Sequence, residues 1–101
     1  MTWHAVASSD DVSTGKAHVV VVDDIQILLC RTENAVYAVE DVCSHDGGAL
    51  DQGELLGERI ECPRHGAQFD VTTGKNLTLP AVRPIRSFPA REQGGQIEVE
   101  V

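Results

Sequence analysis

Short runs of apolar and β-branched residues, each closed by turn-forming residues, recur along the chain and predict strands almost throughout. Residues 3–7 form the first. Ala17–Val22 is a continuous β-branched run, the pattern of a strand buried on both faces. Asp23-Asp24 then turns the chain, although Asp-Asp is a weaker turn pair than Asp-Gly. Ile25, Ile27 and Leu29 alternate along the next run, which predicts a half-buried strand, and Glu33-Asn34 turns it into a strand over 35–40.

Residues 41–51 lose all periodicity. Leu55–Leu56 and Arg59–Glu61 flank Gly57 as a hairpin, and 68–71 returns as a strand before the turn Thr72-Thr73-Gly74-Lys75. Pro80 and Pro84 make 77–84 a loop or an edge strand. Residues 83–91 alternate partly, with Ile85 and Phe88 as core candidates. Ile97, Val99 and Val101 alternate cleanly with Gln96, Glu98 and Glu100 after the Gln93-Gly94-Gly95 turn. No segment keeps a helical period. The pattern predicts an all-β sandwich or barrel of short antiparallel strands, one domain over residues 1–101, with 41–51 and 62–66 as a small subdomain of two inserted loops.

Composition narrows the function. Sixteen acidic against eight basic residues give a formal net charge of −8, which argues against nucleic acid and against an anionic membrane surface. The charge suits docking to a basic partner face, or serves solubility alone. Three cysteines cannot complete a disulfide set, so a reducing compartment is expected. The amino-terminal residues lack a basic region followed by an apolar stretch, and no apolar run is long enough to span a bilayer. A cytoplasmic, soluble protein is expected.

The chemistry lies in two short pairs, Cys43-Ser44-His45 and Cys62-Pro63-Arg64-His65, each followed closely by glycine: Gly47-Gly48 and Gly66. One or two intervening residues let a thiolate and an imidazole turn toward one point from a tight loop. Two such loops offer equal sulfur and nitrogen donors, a set that takes a zinc ion or an iron–sulfur cluster with two histidine ligands. The glycines permit positive φ and close backbone approach, so that backbone N–H groups can aim at sulfur. Zinc fingers usually pair cysteine with cysteine and histidine with histidine beside a helix, neither of which this chain offers. A zinc-stabilised binding module without redox activity stays the alternative.

Cys43-x-His45 with Cys62-x-x-His65, Gly66 and the downstream Phe69-Asp70 resembles the Rieske [2Fe–2S] proteins, and the likeness reaches through the proline-bearing stretch Pro80-Ala81-Val82-Arg83-Pro84. The resemblance implies one [2Fe–2S] cluster, with Cys43 and Cys62 on an inner iron and His45 and His65 on an outer iron exposed at the tip. It implies cluster loops over about 41–51 and 62–70, beside a proline-bearing loop over about 77–84. Respiratory and photosynthetic members carry an extra cysteine in each loop, joined as a disulfide; the matching positions here are Gly48 and Arg64. Those members also place serine and tyrosine hydroxyls against cluster sulfur, where this chain has Ala67 and Phe69. Fewer donors to sulfur stabilise the reduced cluster less, so a potential near the low end of the Rieske range of roughly −150 to +300 mV is expected.

Within the family, the chain resembles the soluble Rieske-type ferredoxins. It implies an electron carrier, not a catalyst, working between a flavin-dependent ferredoxin reductase and a terminal Rieske oxygenase or similar redox protein. An oxygenase needs a second iron held by two histidines and a carboxylate, and only His4 and His18 remain, in no recognisable motif. Those two read as strand-surface residues. Cys30 reads as a buried, inert thiol. Phe69 is expected beneath the cluster loops. Arg64 is either solvated or a contact for an acidic partner group.

Overall fold

The computed structural model describes residues 2–101 as ten strands in three antiparallel sheets. β1 (Trp3–Ser8), β10 (Gln96–Glu100) and β9 (Ala90–Gln93) form the first, in the order β1-β10-β9. β2 (Ala17–Val22), β3 (Ile25–Arg31), β4 (Val36–Glu40) and β8 (Ser87–Phe88) form the second, in chain order. β5 (Leu55–Leu56), β6 (Arg59–Glu61) and β7 (Gln68–Asp70) form the third. A single 3-10 turn, Ser9–Asp11, is the only helical element among the described residues, and no helix is long and apolar enough to cross a membrane.

β3 and β4 are the spine. Their alternation points side chains to opposite faces, and both faces are covered. Ile27, Leu29, Val36 and Ala38 join Val12, Val22, Ile97 and Val99 in a core between the first two sheets. Leu28, Cys30 and Val39 point the other way, into a core with Cys43, Leu50, Ile60, Cys62, Phe69 and Val71. The all-β expectation therefore holds, and the burial assigned to β2 and β3 is exchanged. β3 is the strand buried on both faces, whereas β2 is an edge strand whose Val21 is 62% exposed. Four consecutive valines do not report sheet order, and position in the sheet decides which faces are covered. The Asp23-Asp24 turn does form, with both residues at positive φ, the conformation a two-residue hairpin requires. At 83–91 the single partial strand becomes two, β8 and β9, divided at Pro89.

The third sheet stands at one end. The chain leaves β4, makes the 41–51 loop, forms the β5–β6 hairpin, and passes through 62–67 into β7. Asp41 closes the base of the first loop: its buried carboxylate accepts the Leu50 N–H at 2.8 Å. This places both Cys/His segments side by side above the second core.

Candidate metal centre

The two segments differ in spacing but share one backbone closure. Cys43 N–H donates to the Gly48 carbonyl at 2.7 Å, and the Cys43 carbonyl accepts Gly47 N–H at 2.7 Å. Cys62 N–H donates to the Ala67 carbonyl at 2.7 Å, and its carbonyl accepts Gly66 N–H at 3.1 Å. Each cysteine thus bonds the residues four and five positions on. Gly47 and Gly66 occupy equivalent places at φ 75° and 78°, where a side chain would be strained. Gly48 has no positive φ; its reason is space, as shown below.

These closures sort the donors by depth. Cys43 and Cys62 are buried and unpaired by disulfide, with their sulfurs within 4.8 Å of each other. His45 and His65 are exposed on the outer side, ring centroids 5.1 Å apart and planes at 87°. Burial pushes the Cys43 thiol pKa up, the His45 and Asp46 backbone N–H groups pull it down, and the neighbouring Cys62 sulfur pushes it up again. Two thiols crowded in a buried site, with N–H groups already aimed at sulfur, fit a metal group that would hold both as thiolates. All four predicted ligand residues are brought to one end of the molecule, sulfur inside and nitrogen outside.

Asp46 also comes within metal-ligand reach of the two sulfurs. Its carboxylate is already engaged: Arg64 Nε reaches Oδ2 at 2.6 Å and an Arg64 terminal nitrogen reaches Oδ1 at 3.0 Å. The Arg64 guanidinium holds the Asp46 carboxyl well below the usual carboxylate range. Arg64 is therefore neither simply solvated nor free for a partner. Sequence reasoning missed this pair, and its only signal is a charge of opposite sign beside a histidine in each loop.

The proline-bearing loop is fastened to both segments. Ser44 donates its hydroxyl to the Arg83 carbonyl at 2.6 Å. Thr78 accepts Gln68 N–H at 2.9 Å and its hydroxyl lies 3.4 Å from the Gly66 carbonyl. Ala67 and Phe69 are fully buried in the second core beneath the loops, as expected for Phe69. Cys30 sits deeper in the same core, where burial first and Asp41 second push its thiol up to about 12, so it stays neutral and inert. His4 lies on β1 at 4.0 Å from Asp23, and His18 is exposed on β2.

The Rieske [2Fe-2S] domain description matches residues 2–89. The ferredoxin component of the naphthalene 1,2-dioxygenase/salicylate 5-hydroxylase systems of Ralstonia sp is 32% identical over 99 residues, spanning 98% of this chain and 95% of that protein. The ferredoxin of carbazole 1,9a-dioxygenase from Nocardioides aromaticivorans IC177 superposes with a TM-score of 0.92 at 36% identity, covering 98% of this chain and 97% of that one. A chain in a complex of reduced oxygenase and oxidized ferredoxin in carbazole 1,9a-dioxygenase gives a TM-score of 0.88 at 32% identity, covering 96% and 91%. These relatives are electron-transfer components and not zinc modules. With its paired sulfur and nitrogen donors, the chain belongs to the Rieske [2Fe-2S] domain family, and its cofactor is a Rieske [2Fe–2S] cluster.

Proposed function

We propose that Cys43 and Cys62 hold the inner iron of the cluster, that His45 and His65 hold the outer one, and that this centre passes single electrons from a flavin-dependent ferredoxin reductase to a terminal Rieske oxygenase in the cytoplasm. Residues 1–101 are read as one domain, with cluster loops over 41–51 and 62–70 and the proline-bearing loop over 77–84. The observation that carries the assignment is the depth ordering: two buried sulfurs beneath two exposed imidazoles, on loops with the same backbone closure. The cluster supplies one reversible electron; the chain determines where that electron is accessible and how readily it is held.

The exposed histidine edge is the exit and entry point, because the sulfur side is sealed by the core. The surface on one side of it is apolar. Leu79 and Val82, exposed by 77% and 72%, lie on the loop that Ser44 and Thr78 tie to the two segments. That loop brings Arg83 and no carboxylate; indeed residues 71–91 contain no Asp or Glu. On the proline-loop side a partner therefore meets apolar residues and Arg83, while on the other side the Asp46–Arg64 pair flanks His65, whose Nδ1 lies 3.6 Å from Asp46 Oδ2.

Ala67 and Phe69 offer no hydroxyl to the cluster, so the oxidised state is favoured and the potential is expected near the low end of the roughly −150 to +300 mV Rieske range. The assignment is tested by iron, sulfide and zinc analysis of protein prepared without air, together with the spectrum of the reduced form. Iron and acid-labile sulfide in equal amounts, with nitrogen coupling in the paramagnetic spectrum, are expected. A colourless, zinc-loaded protein would refute it.

A further inference from the structure

Electron carriage through His45 and His65 leaves two neighbouring groups without a role, the Asp46 carboxylate and the Arg64 guanidinium. Asp46 follows one proposed ligand and Arg64 precedes the other. Arg64 reaches across to the opposite loop with three hydrogen bonds: to both Asp46 oxygens at 2.6 and 3.0 Å, and to the Ala49 carbonyl at 2.9 Å. Asp46 Oδ1 in turn accepts Gly48 N–H at 2.9 Å, so the carboxylate is set within its own loop. Apart from the contact between the two thiols, every hydrogen bond joining 43–49 to 62–66 among the described residues comes from Arg64.

Gly48 completes the arrangement. A Cβ placed there would lie 2.5 Å from the Arg64 guanidinium carbon and 2.6 Å from a terminal nitrogen. The guanidinium occupies the space that a side chain at position 48 would take.

We infer that Asp46, Gly48 and Arg64 form a clamp that sets the spacing of the two ligand loops and thereby keeps the cluster in place. Arg64 and Asp46 are positioning residues that act through the ligands beside them, and the inference rests on the ligand assignment proposed above. A single exposed ion pair contributes little to overall stability. A planar fork on a carboxylate nevertheless fixes geometry, and groups that orient metal ligands commonly change metal retention by about tenfold or more.

The competing reading is that these are two charges near the cluster and nothing more. The readings differ in sign. Removing a positive charge lowers the affinity for an electron and removing a negative one raises it, so as charges alone R64Q and D46N act in opposite directions. As halves of a clamp they act in the same direction. The experiment uses holoprotein of wild type, R64Q, D46N, the double variant, R64K and G48A. Two quantities are measured: the rate at which the visible spectrum bleaches in excess chelator, and the midpoint potential.

R64Q and D46N should both bleach faster, by roughly tenfold. The double variant should bleach no faster than the faster single one, because one clamp can be lost only once. R64K keeps the charge but not the fork, and G48A keeps every charge while displacing the guanidinium. Both should leave the potential close to wild type and still shed the cluster faster. Multiplicative rates in the double variant, or wild-type retention in R64K and G48A, would overturn the clamp. Failure of the ligand assignment shows separately, as wild-type protein without iron and sulfide or as C43S protein that keeps its cluster.

Discussion

At the basal end, six of the seven strands have four to seven residues, β8 with two being the exception, and Ile27, Leu29, Ile97 and Val99 fill the space between two sheets. At the cluster end, β5, β6 and β7 have only two or three residues each, and two of the residues in the core beneath them are Cys43 and Cys62. The basal end closes by ordinary burial. The cluster end buries groups that want a metal and connects them by loops whose cross-links are few. The contrast teaches that this chain keeps its shape at one end and its chemistry at the other, with β3 and β4 lending one face to each.

The strongest way to sharpen that contrast is to remove a buried donor. C43S and C62S should each abolish the visible spectrum. Amide exchange should then quicken across 41–51 and 62–70 while β2, β3 and β10 keep their protection. Uniform loss of protection would mean that the ends are not separate in this sense.

A pair of core truncations probes the same division at smaller scale. F69A lies directly under the loops and should lose about 3–5 kcal/mol together with faster bleaching of the cluster. I97A lies between the basal sheets and should lose about 2–4 kcal/mol in denaturant titration with the bleaching rate of folded protein unchanged. If I97A bleached as fast as F69A, the two cores would be acting as one.

The basal end also has its own ion pair, a useful counterpart to Asp46 and Arg64. Arg31 bonds both Glu92 oxygens at 3.0 and 2.9 Å and also caps the Ser9 and Val12 carbonyls. Its guanidinium, with help from Ser9, holds Glu92 below its usual pKa. A lowered carboxylate pKa means stability present above the unfolded pKa and lost as pH falls through the folded one. E92Q should therefore flatten the acid limb of the stability curve, and at neutral pH cost no more than about 1 kcal/mol because the pair is partly exposed. Cluster retention should not move, in contrast to R64Q.

The smallest effect concerns Cys30. With its thiol pushed up to about 12, it should resist alkylation in folded holoprotein at pH 8 and react only on unfolding. Rapid labelling of the native protein would place the second core in contact with solvent.

Much of this division was legible in the residues. Alternation marked most strands, and Cys43, His45, Cys62 and His65 stood out because thiol and imidazole at short spacing have few other uses. The inverted burial of β2 and β3 was not legible, since a valine run is equally at home in an edge or a central strand once one face is covered. The equivalence of the two loops was hidden by unequal Cys-to-His spacing; it lives in backbone hydrogen bonds to Gly47, Gly48, Gly66 and Ala67. The Asp46–Arg64 pair was hidden because its members are 18 positions apart and meet only when the β6–β7 turn stands against the first loop. Gly48 looked like a conformational glycine and proved to be a steric one.

The most direct measurement is pulsed paramagnetic resonance on reduced protein grown with nitrogen-15 histidine. Two strongly coupled histidine nitrogens are predicted, reduced to one in H45C or H65C protein that still assembles a cluster. A reduced spectrum with no histidine coupling, or no paramagnetic centre in iron-replete protein, would contradict the mixed sulfur and nitrogen site.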